Sequence, residues 1–331
     1  MTSETMTMLT LLPSLEEIRE AQQLIATLMQ PTPQISWPLL NQELGAEVWV
    51  KHENHTPTGA FKARTAVVYA AELFRGPDKI RGLITATRGN HGQSVALAGQ
   101  RFGVPVTIVV PFGNSAEKNA AMRAQGASLI EFGEDFQDAR ERAAVLAEQQ
   151  GLHIVPSFHP NIIKGVASYW VEFFEAVPDL DCVYVPIGMG SGICAGCAVR
   201  NGMGLKTKIV GVVSEGAPAY ALSFEAGRVV EAQVTTEIAD GMACRVPDAD
   251  AVTIICENVH HMVRVSDQAV RRAMKTYFTA THNVIEGAGA ASLAAALKEK
   301  ELLTGKRVGL IASGGNVDHD VFAKVLMERD R

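Results

Sequence analysis

An α/β protein with two doubly wound parallel-sheet units is the fold this sequence predicts, and three observations predict it. Short runs of about five residues alternate with longer helical stretches. The runs are apolar nearly throughout rather than alternating, as strands covered on both faces of a parallel sheet are. They fall into two sets with no Pro-, Gly- or Ser-rich linker between them, so the two units are expected to interdigitate in sequence and to share a cleft.

The elements follow in order. Ser14 and Glu17 form a capping box that opens a helix running toward Met29 and stopping before Pro31. GAEVWVKHE, Gly45 to Glu53, reads as a strand, and ARTAVVYAAELF is helical from Ala63. The first regular set is GLITA, VTIVV, SLIEF and LHIV, beginning at Gly82, Val106, Ser128 and Leu152, spaced by helical segments such as SVALAGQRFG and AEKNAAMRAQG. The second set is CVYVPI, KIVGVV at Lys208 to Val213, and RVGLIAS at Arg307 to Ser313.

Composition removes several function classes. A chain of 331 residues, 47% of them apolar, can bury a full core. Its 30 Lys and Arg against 36 Asp and Glu leave a net charge of −6, so no basic surface is left over for nucleic acid. The longest uncharged runs, Ala21 to Gln42 and Cys182 to Val199, are broken by prolines and glycines, and no membrane span is expected. The opening has no Lys or Arg before Arg19, which argues against a secretory or transit leader. Five cysteines make no disulfide framework, and a cytoplasmic location is expected.

Four stretches carry candidate chemistry. In KHENHTPTGAFKART, Lys51 to Thr65, Lys62 follows a Gly59-Ala60-Phe61 turn at the expected start of a helix. The positive end of a helix dipole favours the neutral amine that a Schiff base requires; the plain alternative is a solvated lysine. In ATRGNHGQS, Ala86 to Ser94, helix-start N–H groups can hold a carboxylate, and Asn90 offers both a donor and an acceptor. The alternative is a Gly-rich connection with Asn90 as a cap and His91 as a packed neighbour.

The third stretch is PIGMGSGICAG, Pro186 to Gly196, where Gly188, Gly190 and Gly192 let the backbone approach an anion. Gly190, Gly192 and Ala195 also fit the dinucleotide fingerprint in its Ala variant, with Glu215 lying 20 residues beyond Ala195. A nicotinamide site therefore competes here. Cys194 and Cys197 form a CxxC with no second pair, which favours packing over zinc or redox chemistry. The fourth stretch is ASGGNVDHD, Ala312 to Asp320, where the Ser313 hydroxyl and two glycines either approach a flat ring edge or simply turn. Upstream, Glu286 in HNVIEGAGAAS reads as a helix-start carboxylate and nothing more.

Together TGAFK, RGNHG, the Gly-rich loop and SGGN, in this order over nearly the whole chain, resemble the fold-type II pyridoxal-phosphate enzymes (tryptophan synthase β-like), most closely the serine and threonine dehydratase family. The resemblance implies pyridoxal 5'-phosphate as cofactor, linked to Lys62 with Phe61 packed near it. It places Asn90 at the pyridoxal 3-oxygen and Ser313 at the pyridine nitrogen. Gly188, Met189, Gly190, Ser191 and Gly192 would surround the phosphate, and Thr87, Arg88, Gly89, Asn90 and His91 the substrate carboxylate. It also implies a large unit of residues 1–54 and 152–331, a small unit of residues 55–151 inserted in it, and a homodimer acting on an amino acid.

The implied reaction is loss of water and then ammonia from a β-hydroxy-α-amino acid such as L-threonine or L-serine. Lys62, displaced by the substrate, takes the Cα proton, and the pyridine ring takes up the electrons. A neutral hydroxyl at the ring nitrogen does not keep that nitrogen protonated as a carboxylate does, which suits fast loss of a β-substituent. In the family the cofactor phosphate is thought to protonate the departing hydroxyl.

Two departures stand out. Relatives usually have Ser where this chain has Arg88, and in the racemases among them that serine transfers the second proton, which argues against racemisation. Metal-activated relatives place a carboxylate directly after the strand matching KIVGVV, where Val213 stands, so no metal is expected. About fifteen residues follow SGGN, too few for the regulatory domain of the biosynthetic enzymes. The competing readings are a lyase for 3-hydroxyaspartate, phenylserine or diaminopropionate, an amino-acid racemase, a nicotinamide dehydrogenase and a non-catalytic relative.

Overall fold

Val50 and Lys51, Val183 and Tyr184, Ile209 and Val210, and Leu310 and Ile311 are sequence neighbours and all buried, so the strands that carry them are covered on both faces. A computed structural model of the chain describes residues 11–77 and 79–329. Its strands, in chain order, are β1 (Gln34–Ser36), β2 (Glu47–His52), β3 (Leu83–Ala86), β4 (Val106–Val110), β5 (Ser128–Glu131), β6 (His153–Ile154), β7 (Cys182–Pro186), β8 (Lys208–Ser214), β9 (His261–Val265) and β10 (Arg307–Ala312).

They build two sheets, ordered β1-β2-β10-β7-β8-β9 and β5-β4-β3-β6. Every neighbouring pair is parallel except β1 with β2. The larger sheet draws β1 and β2 from before the smaller one and β7 to β10 from after it, so the smaller sheet is an insertion in the chain of the larger. Strand β6, whose His153 N–H bonds the Gly82 carbonyl at 2.9 Å, lies just past the expected limit at residue 151.

Local chemistry sets the element ends. The Ser14 hydroxyl accepts from the Glu17 N–H at 3.3 Å and a Glu17 oxygen accepts from the Ser14 N–H at 2.9 Å, a closed capping box. That helix spans Leu15–Ala26 and stops short of Met29, because the Thr27 hydroxyl donates to the Leu24 carbonyl at 2.7 Å and closes the last turn. Helix Thr65–Arg75 begins two residues later than expected; residues Phe61–Arg64 form a 3-10 turn instead. Strands β1 and β9 carry no sequence signal of the apolar-run type: one is three residues long, and the other, HMVRV, is an edge strand with polar residues between its buried ones.

Strand β8 also corrects an expectation. It runs on to Ser214, so Val213 is a buried strand residue and the carboxylate of Glu215 directly follows the strand. Glu215 is exposed and lies 3.7 Å from the Lys298 amine. Among the described residues no helix is long and apolar enough to cross a membrane. The opening residues through Thr10, on which the absence of a leader was expected, lie outside the described residues.

Candidate active site

Lys62 sits on a turn that is stitched to the end of β10. Thr56 Oγ1 accepts from the Ala60 N–H at 2.9 Å and donates to the Ala60 carbonyl at 2.7 Å, and Gly59 turns the chain with φ of 69°. The Phe61 N–H then bonds the Ser313 carbonyl and the Gly315 N–H bonds the Gly59 carbonyl, both at 2.9 Å. Lys62 and Ser313 are thereby fixed to one another by backbone. The Lys62 carbonyl is held by the hydroxyls of Thr65 and Ser94. The amine makes no hydrogen bond or ion pair among the described residues, and loss of solvent lowers it to about 8. Burial, not the helix dipole, is the cause.

Behind this turn lies a buried ionic network that sequence reasoning missed. Arg64 Nε donates to Glu53 at 2.8 Å and Arg64 Nη1 to Glu172 at 2.7 Å, while Lys51 Nζ donates to the same Glu172 at 2.7 Å. Ser168 Oγ takes a further bond from Arg64 at 2.9 Å. Two cations face two anions, with Arg64, Lys51 and Glu53 wholly out of water, and Phe61 packs edge-on against Tyr169 above them at 6.3 Å. Removing one member strands a buried charge, so Arg64→Met is expected to cost about 3–5 kcal/mol of stability in chemical denaturation. A loss below about 1 kcal/mol would show that the network relaxes to water. Lys51, Glu53 and Arg64 all lie within the lysine motif, but spacing alone does not show Glu172, the partner of Lys51 and Arg64 more than a hundred residues away.

The second loop connects β3 to helix Asn90–Phe102. Gly89 is the residue at the cap, without a side-chain bond, so Asn90 is not the cap. Its side chain instead crosses to the other sheet: Asn90 Nδ2 donates to Glu286 Oε1 at 2.7 Å, and Asn316 Nδ2 donates to Asn90 Oδ1 at 2.8 Å. Thr87 is buried and its hydroxyl accepts from the Gly89 N–H at 3.0 Å. His91 lies with Nε2 3.3 Å from the Val155 carbonyl; burial, then the nearby Lys62, lowers it to about 3, so the ring is neutral. Arg88 is exposed and makes no ion pair among the described residues. Beside the loop, Lys118 Nζ bonds Asp240 at 2.5 Å.

In the third loop, between β7 and helix Ser191–Gly202, each glycine has a separate reason. A Cβ on Gly188 would stand 2.3 Å from the Gly241 carbonyl oxygen. Gly190 has φ of +94°, and a Cβ there would stand 2.8 Å from that of Ala251. A Cβ on Gly192 would meet nothing nearer than Tyr169 Oη at 4.0 Å. The loop's carbonyls are engaged: Tyr220 Oη donates to Met189 and Trp170 Nε1 to Gly192, both at 2.9 Å. The N–H groups of the first helical turn have no intrahelical acceptor, so they are left for an anion beside buried Ser191. Cys194 and Cys197 are buried and their thiols pushed up by burial, as packing residues are.

The geometry fits pyridoxal phosphate on this chain's own terms. The Lys62 amine and the Ser313 hydroxyl have no partner among the described residues. Of the six buried side-chain polar atoms without a partner among the described residues, Glu286 Oε2 and His91 Nδ1 belong to this site, which implies a group that completes them. The residues can supply an amine for an aldehyde, an amide donor for a ring oxygen, a hydroxyl for a ring nitrogen and backbone N–H groups for a phosphate. Glu286 stands at the start of helix Gly287–Lys298, as expected; it is also buried, bonded to Asn90, and raised to about 7, chiefly by burial. An open cavity of about 530 Å³ shares Gly59 and Asn316 with this constellation, but not Lys62, Asn90 or Ser313.

Comparison with known proteins gives a consistent picture. A family model described as "Pyridoxal-phosphate dependent enzyme" matches residues 25–314. The chain is 34% identical over 315 residues to an L-threonine ammonia-lyase of Thermotoga maritima, covering 95% of this chain and 78% of that protein. It is 33% identical over 322 residues to an L-threo-3-hydroxyaspartate ammonia-lyase of Saccharomyces cerevisiae, covering 97% and 98%. The structure of processed threonine deaminase isoform 2 from Solanum lycopersicum superposes with a TM-score of 0.85 at 29% identity, covering 95% of this chain and 94% of that one.

Proposed function

The chain belongs to the pyridoxal-phosphate-dependent enzyme family, and on that premise we propose that it dehydrates and deaminates a β-hydroxy-α-amino acid, such as L-threonine or L-serine, to a 2-oxo acid and ammonia. The observation that carries the reading is the Lys62 amine, stitched by the Phe61–Ser313 backbone bond at 2.9 Å to the Ser313 hydroxyl, neither of them with a hydrogen-bond partner among the described residues. A nicotinamide site on Gly190, Gly192, Ala195 and Glu215 falls with the family assignment, and it also left that pairing without a purpose.

Bound here, pyridoxal phosphate supplies a sink for the electron pair left when Cα loses its proton. Lys62 would hold the cofactor, and its free amine would serve as the general base at Cα. Desolvation has already brought it to about 8, nearer to working pH than an ordinary lysine. Phe61 packs beside it. Asn90 would donate to the 3-oxygen, and the Ser313 hydroxyl would serve the ring nitrogen without imposing a charge. The backbone N–H groups of Gly188, Met189, Gly190, Ser191 and Gly192 take the phosphate. The loop of Thr87, Arg88, Gly89, Asn90 and His91 takes the substrate carboxylate with helix-start N–H groups. The family resemblance also supports a homodimer, a cytoplasmic location and a small unit of residues 55–151 extended to take in β6.

A second reading, an acidic substrate such as 3-hydroxyaspartate, is favoured by the exposed, unpaired Arg88 beside the carboxylate loop. Serine, threonine, 3-hydroxyaspartate, phenylserine and diaminopropionate, assayed for ammonia and oxo acid, separate the two; no turnover of any would sink the lyase reading. Arg88→Ser refines the result. If the guanidinium contacts a distal carboxylate, kcat/KM for 3-hydroxyaspartate is expected to fall about 10- to 100-fold, the worth of a charged hydrogen bond, with threonine little changed. An equal fall for all substrates assigns it to the α-carboxylate, and no fall leaves it as surface.

A further inference from the structure

The two orientations of an asparagine amide have the same shape, so packing does not choose between them; only hydrogen-bond partners do. At Asn90 the choice starts at the backbone. The Thr58 carbonyl can only accept, so the Asn316 atom 2.7 Å from it is Nδ2. The same nitrogen lies 2.8 Å from Asn90, whose facing atom is therefore Oδ1. Nδ2 of Asn90 is then turned toward Glu286 Oε1 at 2.7 Å. Both hydrogens of Asn316 Nδ2 are used, one on Thr58 and one on Asn90. Asn90 Nδ2 spends one on Glu286 and keeps one.

We propose that Asn316 and Glu286 are positioning residues that lock the Asn90 amide with its spare N–H available to the cofactor's ring oxygen. The inference rests on the reading that Asn90 donates to that oxygen. Flipped, Asn90 would set a carbonyl oxygen against it, lone pair against lone pair. Two glycines show that room is kept for the relay. A Cβ on Gly59 would stand 2.6 Å from Asn316 Oδ1, and one on Gly314 would stand 2.5 Å from Glu286 Oε1. The glycine of the lysine turn and the first glycine after Ser313 thus admit the two side chains that orient Asn90. Thr58, Gly59 and Lys62 also share one turn, so the relay ties the amine and the amide to the same frame.

The test uses the cofactor-loaded enzyme and reads the absorbance of the lysine-bound cofactor across pH together with cofactor retention, with thermal unfolding as the control for folding. A donor at the ring oxygen stabilises its anionic form, so losing it moves absorbance from the long-wavelength to the short-wavelength band. Asn90→Ala and Asn316→Asp are both expected to cause that shift and to weaken retention about tenfold. Asp at 316 keeps the size but offers no N–H, so Asn90 turns to donate to it. Glu286→Gln, whose carbonyl oxygen still accepts from Asn90, is expected to keep the wild-type spectrum, whereas Glu286→Leu is expected to shift it. If Asn90→Ala shifts the spectrum and Asn316→Asp does not, the lock is wrong while Asn90's own role stands. If Asn90→Ala changes nothing, the role of Asn90 fails and the lock with it. Should Asn316→Asp not fold, the Glu286 pair decides: identical spectra for Gln and Leu overturn the proposal.

Discussion

Lys62→Ala is expected to abolish ammonia release, with turnover down at least about a thousandfold, and to remove the absorbance band that borohydride reduces in the wild type. Both losses are expected from one amine, because on the proposed reading the group that holds the cofactor is also the base at Cα. Turnover near wild type with the band intact would place the covalent linkage elsewhere. Stability should move the other way. In the cofactor-free protein, desolvation holds the Lys62 amine at about 8 against an ordinary value of 10.5, so the folded state binds the proton less tightly than the unfolded chain. Stability attributable to this residue therefore rises with pH between those two values. Below about pH 8 the charged amine is a burden, and cofactor-free Lys62→Met is expected to be about 1–3 kcal/mol more stable than wild type, after discounting for partial exposure. The gap should close toward pH 10.5. A destabilised Met variant at pH 7 would mean that the amine has a partner in solution.

Much of this was legible along the chain, and what escaped shares a cause. Runs such as VTIVV and CVYVP are strands because every residue faces a layer, a property local enough to read directly. The turn before Lys62 and the glycines at 188 and 190 are local too. Arg64, Glu53 and Glu172 escaped because an ionic network is defined by partners across the fold, not by spacing. Glu286 does stand at a helix start, but its burial and its bond to Asn90 at 2.7 Å escaped for the same reason, since they depend on two sheets meeting. At Asn90 the cap was the alternative reading, and it is the alternative that drops out: Gly89 holds that position and the amide reaches across the cleft instead. At Val213 the difficulty was register. A one-residue extension of β8, from Val213 to Ser214, makes Glu215 rather than Ser214 the residue that follows the strand, and strand ends are set by partners rather than by composition.

The glycine loop gives the other large effect, and a pair of substitutions separates anion binding from fold. Gly190→Val forces a branched side chain into a left-handed conformation with φ of +94° and brings its Cβ to 2.8 Å from Ala251. It should therefore cost stability, at least about 1–2 kcal/mol from the backbone alone, as well as cofactor. Its failure to hold the cofactor would not by itself locate the phosphate. Gly192→Ala does. Gly192 lies in the first turn of a helix, and a methyl group there meets only Tyr169 Oη, at an ordinary contact distance of 4.0 Å. The cofactor-free variant should be as stable as wild type or slightly more so, by up to about 1 kcal/mol, because Ala loses less backbone freedom than Gly in a helix. If the space beside Gly192 is where the phosphate sits, the same methyl group keeps the anion from the N–H groups of the first turn. Retention should then fall about tenfold or more, and Gly190→Val should fall further, to about a hundredfold. Equilibrium dialysis against pyridoxal phosphate reads retention and thermal unfolding of the cofactor-free protein reads fold. Unchanged retention in Gly192→Ala, with unchanged stability, would move the phosphate away from this helix and take the loop out of the cofactor site.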